Sequence, residues 1–144
     1  MQLSKKKRTF AEKIYSTLQT MFTRTIQLLG ENGFQALQDA RVILFGVGGV
    51  GGWCAEALLR TGIGHLTIVD FDKVDTTNLN RQVVATHDNI GLSKVLEMQK
   101  RLQSIAPKAD IQTIECQYNT TTANTFDLAQ YDIVVDAIDM VECK

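Results

Sequence analysis

Apolar positions near the start of the chain recur at the spacing of a helix. Four of them lie three or four residues apart: Phe10, Ile14, Leu18 and Met21. This spacing predicts an amphipathic helix over residues 9–22. A second, shorter helix is expected over residues 32–38, just before the chain enters its first apolar run.

Short apolar runs alternate with helical segments beyond residue 40. Strands are predicted over residues 41–45, 65–70, 110–115 and 131–136, and helices over residues 50–60, 95–105 and 122–128. A polar stretch over residues 72–89 separates the second strand from the helix that follows it. Strands that alternate with helices indicate an α/β fold with a doubly wound, mostly parallel sheet.

The first predicted strand leads directly into a glycine-rich turn. Gly46, Gly48 and Gly51 have the spacing G-x-G-x-x-G, in which a turn brings backbone close to a phosphate at a helix N-terminus. Gly46 would permit the tight turn, Gly48 leaves no side chain between main chain and ligand, and Gly51 lets the helix pack against the strand. NAD, FAD and ATP all use such turns. The pattern therefore predicts a Rossmann-like nucleotide site without selecting its ligand.

A carboxylate ends the second predicted strand, where it could face that ligand. Asp70 lies 19 residues beyond Gly51 and could accept hydrogen bonds from ribose hydroxyls. The simpler alternative is an Asp that only caps the next turn. A dehydrogenase would use Asp70 in the same way, so this residue does not discriminate between enzyme classes.

Charged residues farther along the chain favour a triphosphate as the ligand. A site that cleaves a triphosphate must neutralise several negative charges, whereas hydride transfer needs little positive charge. Arg81 and Lys94 supply two cations, and Asp136 and Asp139 lie at the end of the fourth predicted strand, with Asp139 a candidate Mg²⁺ ligand. Taken singly, Lys94 could be an exposed helix lysine and Arg81 part of a loop salt bridge.

Composition limits the class of protein. The 144 residues are 44% apolar and 22% charged with a net charge of −1, which fits one globular domain without a general attraction to nucleic acid or membranes. No apolar run approaches the ~20 residues of a membrane span. The three cysteines are widely separated, which is typical of a reducing compartment, and we expect a cytoplasmic protein. The basic run at residues 5–8 suggests a solvated tail, with an RNA contact as the alternative.

Taken together, the motifs resemble the ATP-binding half of the ThiF/MoeB enzymes, the bacterial relatives of ubiquitin-activating enzymes. The shared pattern is G-x-G-G-x-G, D-x-D, N-x-x-R-Q, a helical lysine and D-x-x-D, here at residues 46–51, 70–72, 78–82, 94 and 136–139. The resemblance extends back to residues 22–25 and 28–30. It implies an ATP-binding Rossmann-like domain over residues 23–144. The N-terminal helical extension expected over residues 1–22 is not part of the family pattern. Because such a sheet usually continues beyond a fourth strand, we expect that domain to be incomplete here.

The resemblance also implies adenylation, in which a carboxylate attacks the α-phosphate of ATP and pyrophosphate leaves. The residues implied to contact the nucleotide are Gly46, Gly48, Gly49, Gly51, Asp70, Asp72, Asn78, Arg81, Lys94 and Asp139. Of these, Arg81, Lys94 and Asp139 would act in catalysis, and Asp139 would position Mg²⁺. Arg24 would join them from a partner subunit, which implies a homodimer.

Local sequence resembles one branch of the family, which dehydrates threonylcarbamoyladenosine in tRNA. The segments concerned are residues 55–58, 60–64, 77–82 and 136–139. The implied partner is tRNA that carries this nucleoside, whose threonyl carboxylate would be activated before an internal attack closes a ring with loss of water. Two alternatives stay open. One is an activator of a ubiquitin-like sulfur carrier, with a possible sulfur-transfer partner, and the other is a nicotinamide-dependent oxidoreductase.

Overall fold

A computed structural model describes the backbone of residues 10–139 and the side chains of residues 21–139. The basic run at residues 5–8 and Cys143 lie outside the described residues. The helices and strands in chain order are α1 (Phe10–Asp39), β1 (Arg41–Phe45), α2 (Gly51–Thr61), β2 (His65–Val69), α3 (Lys94–Ile105), β3 (Asp110–Ile114) and β4 (Ile133–Asp136). Among the described residues, no helix has both the length and the apolar character of a membrane span.

The four strands form one parallel sheet in the order β3-β2-β1-β4. Phe45, the last residue of β1, lies opposite Val69 of β2 and Asp136 of β4, so these three strands end together at one edge. The strand order reverses at β1, because β2 and β3 follow on one side and β4 lies on the other. The predicted α/β fold is therefore confirmed, and the reversal is the position at which such sheets bind ligands.

Strand β1 is buried on both of its faces. Val42 and Leu44 belong to a core cluster that includes Leu59 of α2 and Met98 of α3. On the opposite face, Phe45 packs against aromatic rings from the segment that follows β3. Its ring centroid lies 4.4 Å from that of Tyr118 and 5.3 Å from that of Phe126. The apolar run of β1 follows from this double burial, which is typical of a parallel sheet.

The two predicted N-terminal helices both lie within α1, on either side of a kinked stretch. Helix α1 contains nonhelical backbone at Phe22 (φ −103°, ψ 16°) and at Gly30 (φ 74°, ψ 169°). The rings of Phe22 and Phe34 lie 5.1 Å apart, so the kinked helix brings two distant positions into contact. The predicted domain boundary between residues 22 and 23 falls inside α1 and stays a prediction.

The helix predicted over residues 122–128 is wrong. The structure has two short 3₁₀ turns instead, at Ala123–Thr125 and Leu128–Gln130. Side chains supply the reason, because the Asn119 carboxamide oxygen accepts the backbone N–H of Thr122 and an Asp127 carboxylate oxygen accepts that of Ala129. Such local bonds offer the backbone partners that compete with those of an α-helix.

Candidate functional site

A cavity of about 390 Å³ lies at the edge where β1, β2 and β4 end. Its volume is within the range of small-molecule sites. Gly48 and Gly49 of the glycine-rich turn line one side, and Phe71, Cys116 and Tyr118 provide a mostly apolar side. The cavity thus combines exposed backbone with a surface suited to a flat ring.

Two glycines give the turn its shape. Gly46 has φ 89°, and a Cβ there would lie 2.7 Å from the carbonyl oxygen of Ala137, which follows β4. A Cβ on Gly51 would lie 1.8 Å from the carbonyl oxygen of Gly46. Neither position can therefore hold a side chain without moving backbone. The close approach places the N-terminus of α2 directly beside the cavity, where its free N–H groups favour an anion.

Asp70 connects the glycine turn to the end of β2. One carboxylate oxygen accepts the backbone N–H of Val47 at 2.7 Å, and the other accepts the backbone N–H of Asp72 at 2.8 Å. Asp70 lines the cavity as predicted, but each of its oxygens already has a backbone partner. Each oxygen keeps a second lone pair, so the predicted ribose contact is compatible with this role.

Lys94 is a buried cation at the cavity. It is the first residue of α3 and only 5% exposed, and its ammonium donates to a carboxylate oxygen of Asp72 at 2.9 Å. The backbone N–H of Lys94 also donates to the carbonyl of Asp72 at 3.0 Å, so the two residues are held together twice. An ammonium has three N–H donors. The Lys94 ammonium therefore keeps N–H donors that a ligand in the cavity could use.

Arg81 covers the glycine turn from the loop after β2. Its Cγ lies 3.5 Å from the position of a Cβ on Gly49, so the aliphatic stem packs on the backbone there. The guanidinium donates to the carbonyl of Thr77 at 3.0 Å and to the side-chain oxygen of Asn80 at 2.9 Å. The side chain is solvent-exposed, and its remaining N–H groups are available to a phosphate.

Asn78 lies outside the cavity lining, although the sequence predicts a phosphate contact. It is buried, and its side-chain oxygen accepts the backbone N–H of Asp75 at 2.9 Å. Its carbonyl accepts the backbone N–H groups of Arg81 and Gln82. Asn78 therefore shapes the loop that presents these two residues, and its phosphate contact stays a prediction.

Asp75 completes the same turn from its other end. Its carboxylate accepts the backbone N–H and the hydroxyl of Thr77, at 2.8 Å and 2.7 Å. These hydrogen bonds lower the pKa of Asp75. A charged cap of this kind stabilises the tight turn that precedes Arg81.

Gln82 also lines the cavity, a position for which the sequence predicts no role. It is buried, and its side-chain oxygen has no hydrogen-bond partner among the described residues. The only sequence signal was its place in the motif N-x-x-R-Q. The burial of that amide was not predictable from the motif.

Asp139 lines the cavity at the end of the described chain, and its side chain is exposed. The neighbouring carboxylate of Asp136 accepts the backbone N–H of Ile138 at 3.0 Å, which fixes the turn between them. Within the described residues, no cluster of three or more His, Cys, Asp or Glu could hold a metal by itself. Mg²⁺ commonly uses one or two carboxylates together with substrate phosphates, and Asp139 fits that arrangement.

Arg24 is not part of this cavity. It lies on α1, shortly after the nonhelical backbone at Phe22, and its side chain is exposed. The structure of one chain therefore does not bring Arg24 to the other predicted site residues.

Comparison with known proteins gives a consistent result. Residues 22–144 match the ThiF family. The tRNA threonylcarbamoyladenosine dehydratase of Escherichia coli K12 is 41% identical over 123 residues, which are 85% of this chain and 46% of that protein. A crystal structure of the E. coli enzyme, TcdA, in complex with ATP superposes with a TM-score of 0.85 at 38% identity, over 88% of this chain and 52% of that one.

A relative with a different substrate is also similar. The sulfur carrier protein adenylyltransferase of Thermus thermophilus is 35% identical over 112 residues, which are 77% of this chain and 41% of that protein. The chain spans about half the length of the curated dehydratases that it matches.

Proposed function

The chain belongs to the ThiF family, and from that premise we propose that it binds ATP and adenylates a carboxylate. We further propose that the carboxylate is the threonyl group of threonylcarbamoyladenosine in tRNA. The observation that carries the proposal is the meeting of the glycine turn, Lys94, Arg81 and Asp139 in one cavity. Attack of a carboxylate on the α-phosphate, with loss of pyrophosphate, needs positive charge at that position, and this cavity supplies it from two side chains and a helix N-terminus.

The residues suggest how ATP would lie. The phosphates would approach Gly48 and Gly49, where no side chain separates them from the backbone, and α2 begins there. Arg81 and Lys94 would contact the phosphates from the two neighbouring segments. The adenine would pack against Tyr118 and the apolar side of the cavity, while Asp70 would contact the ribose.

Negative charge builds on the leaving pyrophosphate during in-line displacement. Lys94 is held by Asp72 and Arg81 by Thr77 and Asn80, so both cations are oriented before the reaction begins. Such preorganised charges lower the barrier more than they raise affinity. Mg²⁺, held by Asp139 and the nucleotide phosphates, would supply further positive charge at the same position.

The relatives support a choice between two carboxylate substrates. The greater identity to a tRNA threonylcarbamoyladenosine dehydratase than to a sulfur carrier adenylyltransferase favours tRNA, 41% against 35%. The second candidate is activation of a ubiquitin-like sulfur carrier, and that relative supports it. A tRNA substrate also agrees with the expected cytoplasmic location.

The test measures pyrophosphate release with ATP, Mg²⁺ and either threonylcarbamoylated tRNA or a carrier protein that ends in Gly-Gly. We expect release to depend on the tRNA. Release with the carrier alone would support the second candidate. Binding of NADH without binding of ATP would favour an oxidoreductase and contradict the proposal as a whole.

Asp139 gives the sharpest variant for this test. We expect Asp139→Ala to abolish pyrophosphate release with an unchanged melting temperature, because its exposed carboxylate holds no part of the described fold. The matched control is Asp88→Ala, an exposed carboxylate outside the cavity. Unchanged release in Asp139→Ala would remove this residue from the mechanism.

The proposed homodimer is tested by mixing two inactive variants. If Arg24 acts in the partner's site, Arg24→Ala and Asp139→Ala chains should regain part of the activity when mixed, since a hybrid dimer contains one intact site. No recovery in the mixture would count against a shared site.

A further inference from the structure

The outward side of α2 is apolar. From the N-cap onward, its exposed residues lie three or four positions apart on one side of the helix: Val50, Trp53, Ala57 and Arg60. Val50 is 75% exposed and Trp53 is 55% exposed. Along this side no charged residue precedes Arg60, and the Arg60 guanidinium is paired with Glu56. We call Val50, Trp53 and Ala57 the α2 stripe.

Helix α3 shows how a solvated face differs from the α2 stripe. Both helices pack against the same core cluster of the sheet. The exposed residues of α3 are mostly polar, however: Lys100, Arg101, Gln103 and Ser104, with Leu96 as the one large apolar side chain exposed on that helix. A helix face in contact with water is normally polar, and a contiguous exposed apolar surface marks an interaction site. The α2 stripe therefore indicates a surface that another molecule covers.

The chemistry of the α2 stripe favours a polypeptide over a nucleic acid. Binding of RNA requires cations that neutralise phosphates, and the stripe itself has none. An apolar helix face instead fits another helix, whose side chains interdigitate with its own. The large Trp53 and the small Ala57 lie about one turn apart. A second α2 that runs in the opposite direction could therefore place each Trp53 over Ala57 of the other copy, as a two-fold interface requires.

The place of α1 gives a reason for that polypeptide to be a second copy of this chain. Helix α1 packs at the C-terminal end of α2, where the side-chain amide of Gln38 donates to the carbonyl of Gly62. A ring carbon of Phe22, two residues before Arg24, lies 3.7 Å from the position of a Cβ on Gly62. The N-terminal end of α2 borders the cavity instead. The 11 residues of α2 span about 16 Å, which separates Arg24 from the cavity of its own chain.

We propose that the α2 stripe is the surface on which a second copy of this chain docks, with the two α2 helices side by side in opposite directions. The C-terminal end of one α2, with the α1 packed there, then lies beside the cavity of the other copy. Arg24 of each copy is thereby brought toward the cavity of its partner. The inference rests on the proposed function only for the purpose of Arg24, since the contact itself requires no nucleotide.

The first experiment measures the mass of the full chain without nucleotide, by light scattering after gel filtration. We expect the wild type to have the mass of two chains. In Trp53→Glu the Kd of the dimer should increase on the order of 100-fold, because a carboxylate in an apolar contact opposes association. Ala57→Glu should have the same effect, and a glutamate at an exposed helix position is compatible with folding. The matched control is Leu96→Glu on α3, which should stay dimeric with an unchanged circular dichroism spectrum.

The second experiment tests the direction of the two helices with introduced cysteines. Opposite directions bring residue 50 of one copy close to residue 61 of the other, and keep like positions apart. We expect oxidation of an equimolar mixture of Val50→Cys and Thr61→Cys to give a mixed disulfide-linked dimer. Each variant alone should give no more linked dimer than the wild type, which carries the same natural cysteines.

Several results would overturn the inference. They are a monomeric wild type, dimers that persist in both Trp53→Glu and Ala57→Glu, and equal dissociation by Leu96→Glu. Linked dimers of Val50→Cys or Thr61→Cys with themselves, without the mixed product, would overturn the opposite direction of the helices. A dimeric wild type that fails to bind ATP would contradict the proposed function and leave this surface in place. A monomer that binds ATP would do the reverse.

Discussion

Two buried charges show how differently two regions of this molecule use electrostatics. Glu56, between α2 and α3, is 6% exposed, and Lys94, at the cavity, is 5% exposed. The Glu56 carboxylate accepts three N–H groups, two from Arg60 at 2.9 and 2.7 Å and one from Arg101 at 2.7 Å. The Lys94 ammonium makes one such bond among the described residues, to Asp72.

The difference is one of hydrogen-bond saturation. Burial raises the pKa of Glu56, but the hydrogen bonds and positive charges of Arg101 and Arg60 together lower it by more. The pKa of Glu56 is therefore below its ordinary value. Its charge is thereby satisfied inside the protein and connects α2 to α3. Lys94 keeps donors for a ligand instead. A saturated buried charge contributes to stability, whereas an unsaturated one beside a cavity is available for binding.

The largest expected effect is on activity at Lys94. In Lys94→Met, we expect pyrophosphate release to fall on the order of 100- to 1000-fold, because a preorganised cation is lost where charge develops. The melting temperature should change little, since the freed Asp72 side chain is 47% exposed and becomes hydrated. Lys100→Met, which changes an exposed lysine on the same helix, serves as the control for release. If Lys94→Met retained near-normal pyrophosphate release, the conclusion that Lys94 serves binding while Glu56 serves stability would be wrong.

The next effect is on stability at Glu56. In Glu56→Gln, we expect the free energy of unfolding at pH 7 to fall by about 1–3 kcal/mol, because hydrogen bonds to a charged group are weakened. The partly exposed arginines can be rehydrated, which limits the loss. Urea unfolding measures this change. Pyrophosphate release should remain normal after correction for the folded fraction, and a specific loss of release would contradict the assignment.

The same variant gives a pH dependence. Because the folded pKa of Glu56 lies below its ordinary value of 4.5, its stabilising contribution is complete above that value and disappears as pH falls through the folded pKa. Urea unfolding of the wild type should therefore show a loss of stability below about pH 4.5 that is smaller in Glu56→Gln. Parallel curves for the two proteins would show that Glu56 does not contribute.

The smallest effects are expected from the two arginines taken singly. Arg60→Met and Arg101→Met should each lower the free energy of unfolding by less than about 1 kcal/mol, because the other arginine still balances Glu56. The double variant should lose more than the sum, since it leaves the carboxylate buried without a cation. Urea unfolding of the three variants measures the coupling, and additive losses would contradict a shared role.

Much of the fold was predictable because its signals are local. The alternation of apolar runs with helical segments predicted β1, β2, β3, α2 and α3 to within a residue or two of their bounds. The glycine spacing predicted a tight turn at Gly46, which the structure has. Parallel strands end at one edge, so the polar residues that follow them could be expected to meet there. The helix predicted over residues 122–128 failed because side-chain hydrogen bonds outweighed weak periodicity.

The sequence by itself determined which chemical groups this protein has and at which strand ends they lie. Only the tertiary structure decided their partners, because those partners come from segments 22 to 45 residues away: Asp70 with Val47, Lys94 with Asp72, and Glu56 with Arg101. In the tertiary structure Asn78 also lies outside the cavity, and the buried side-chain oxygen of Gln82 has no hydrogen-bond partner within residues 21–139. Hydrogen-bond saturation depends on everything that packs around a group, and no local pattern of residues contains that information.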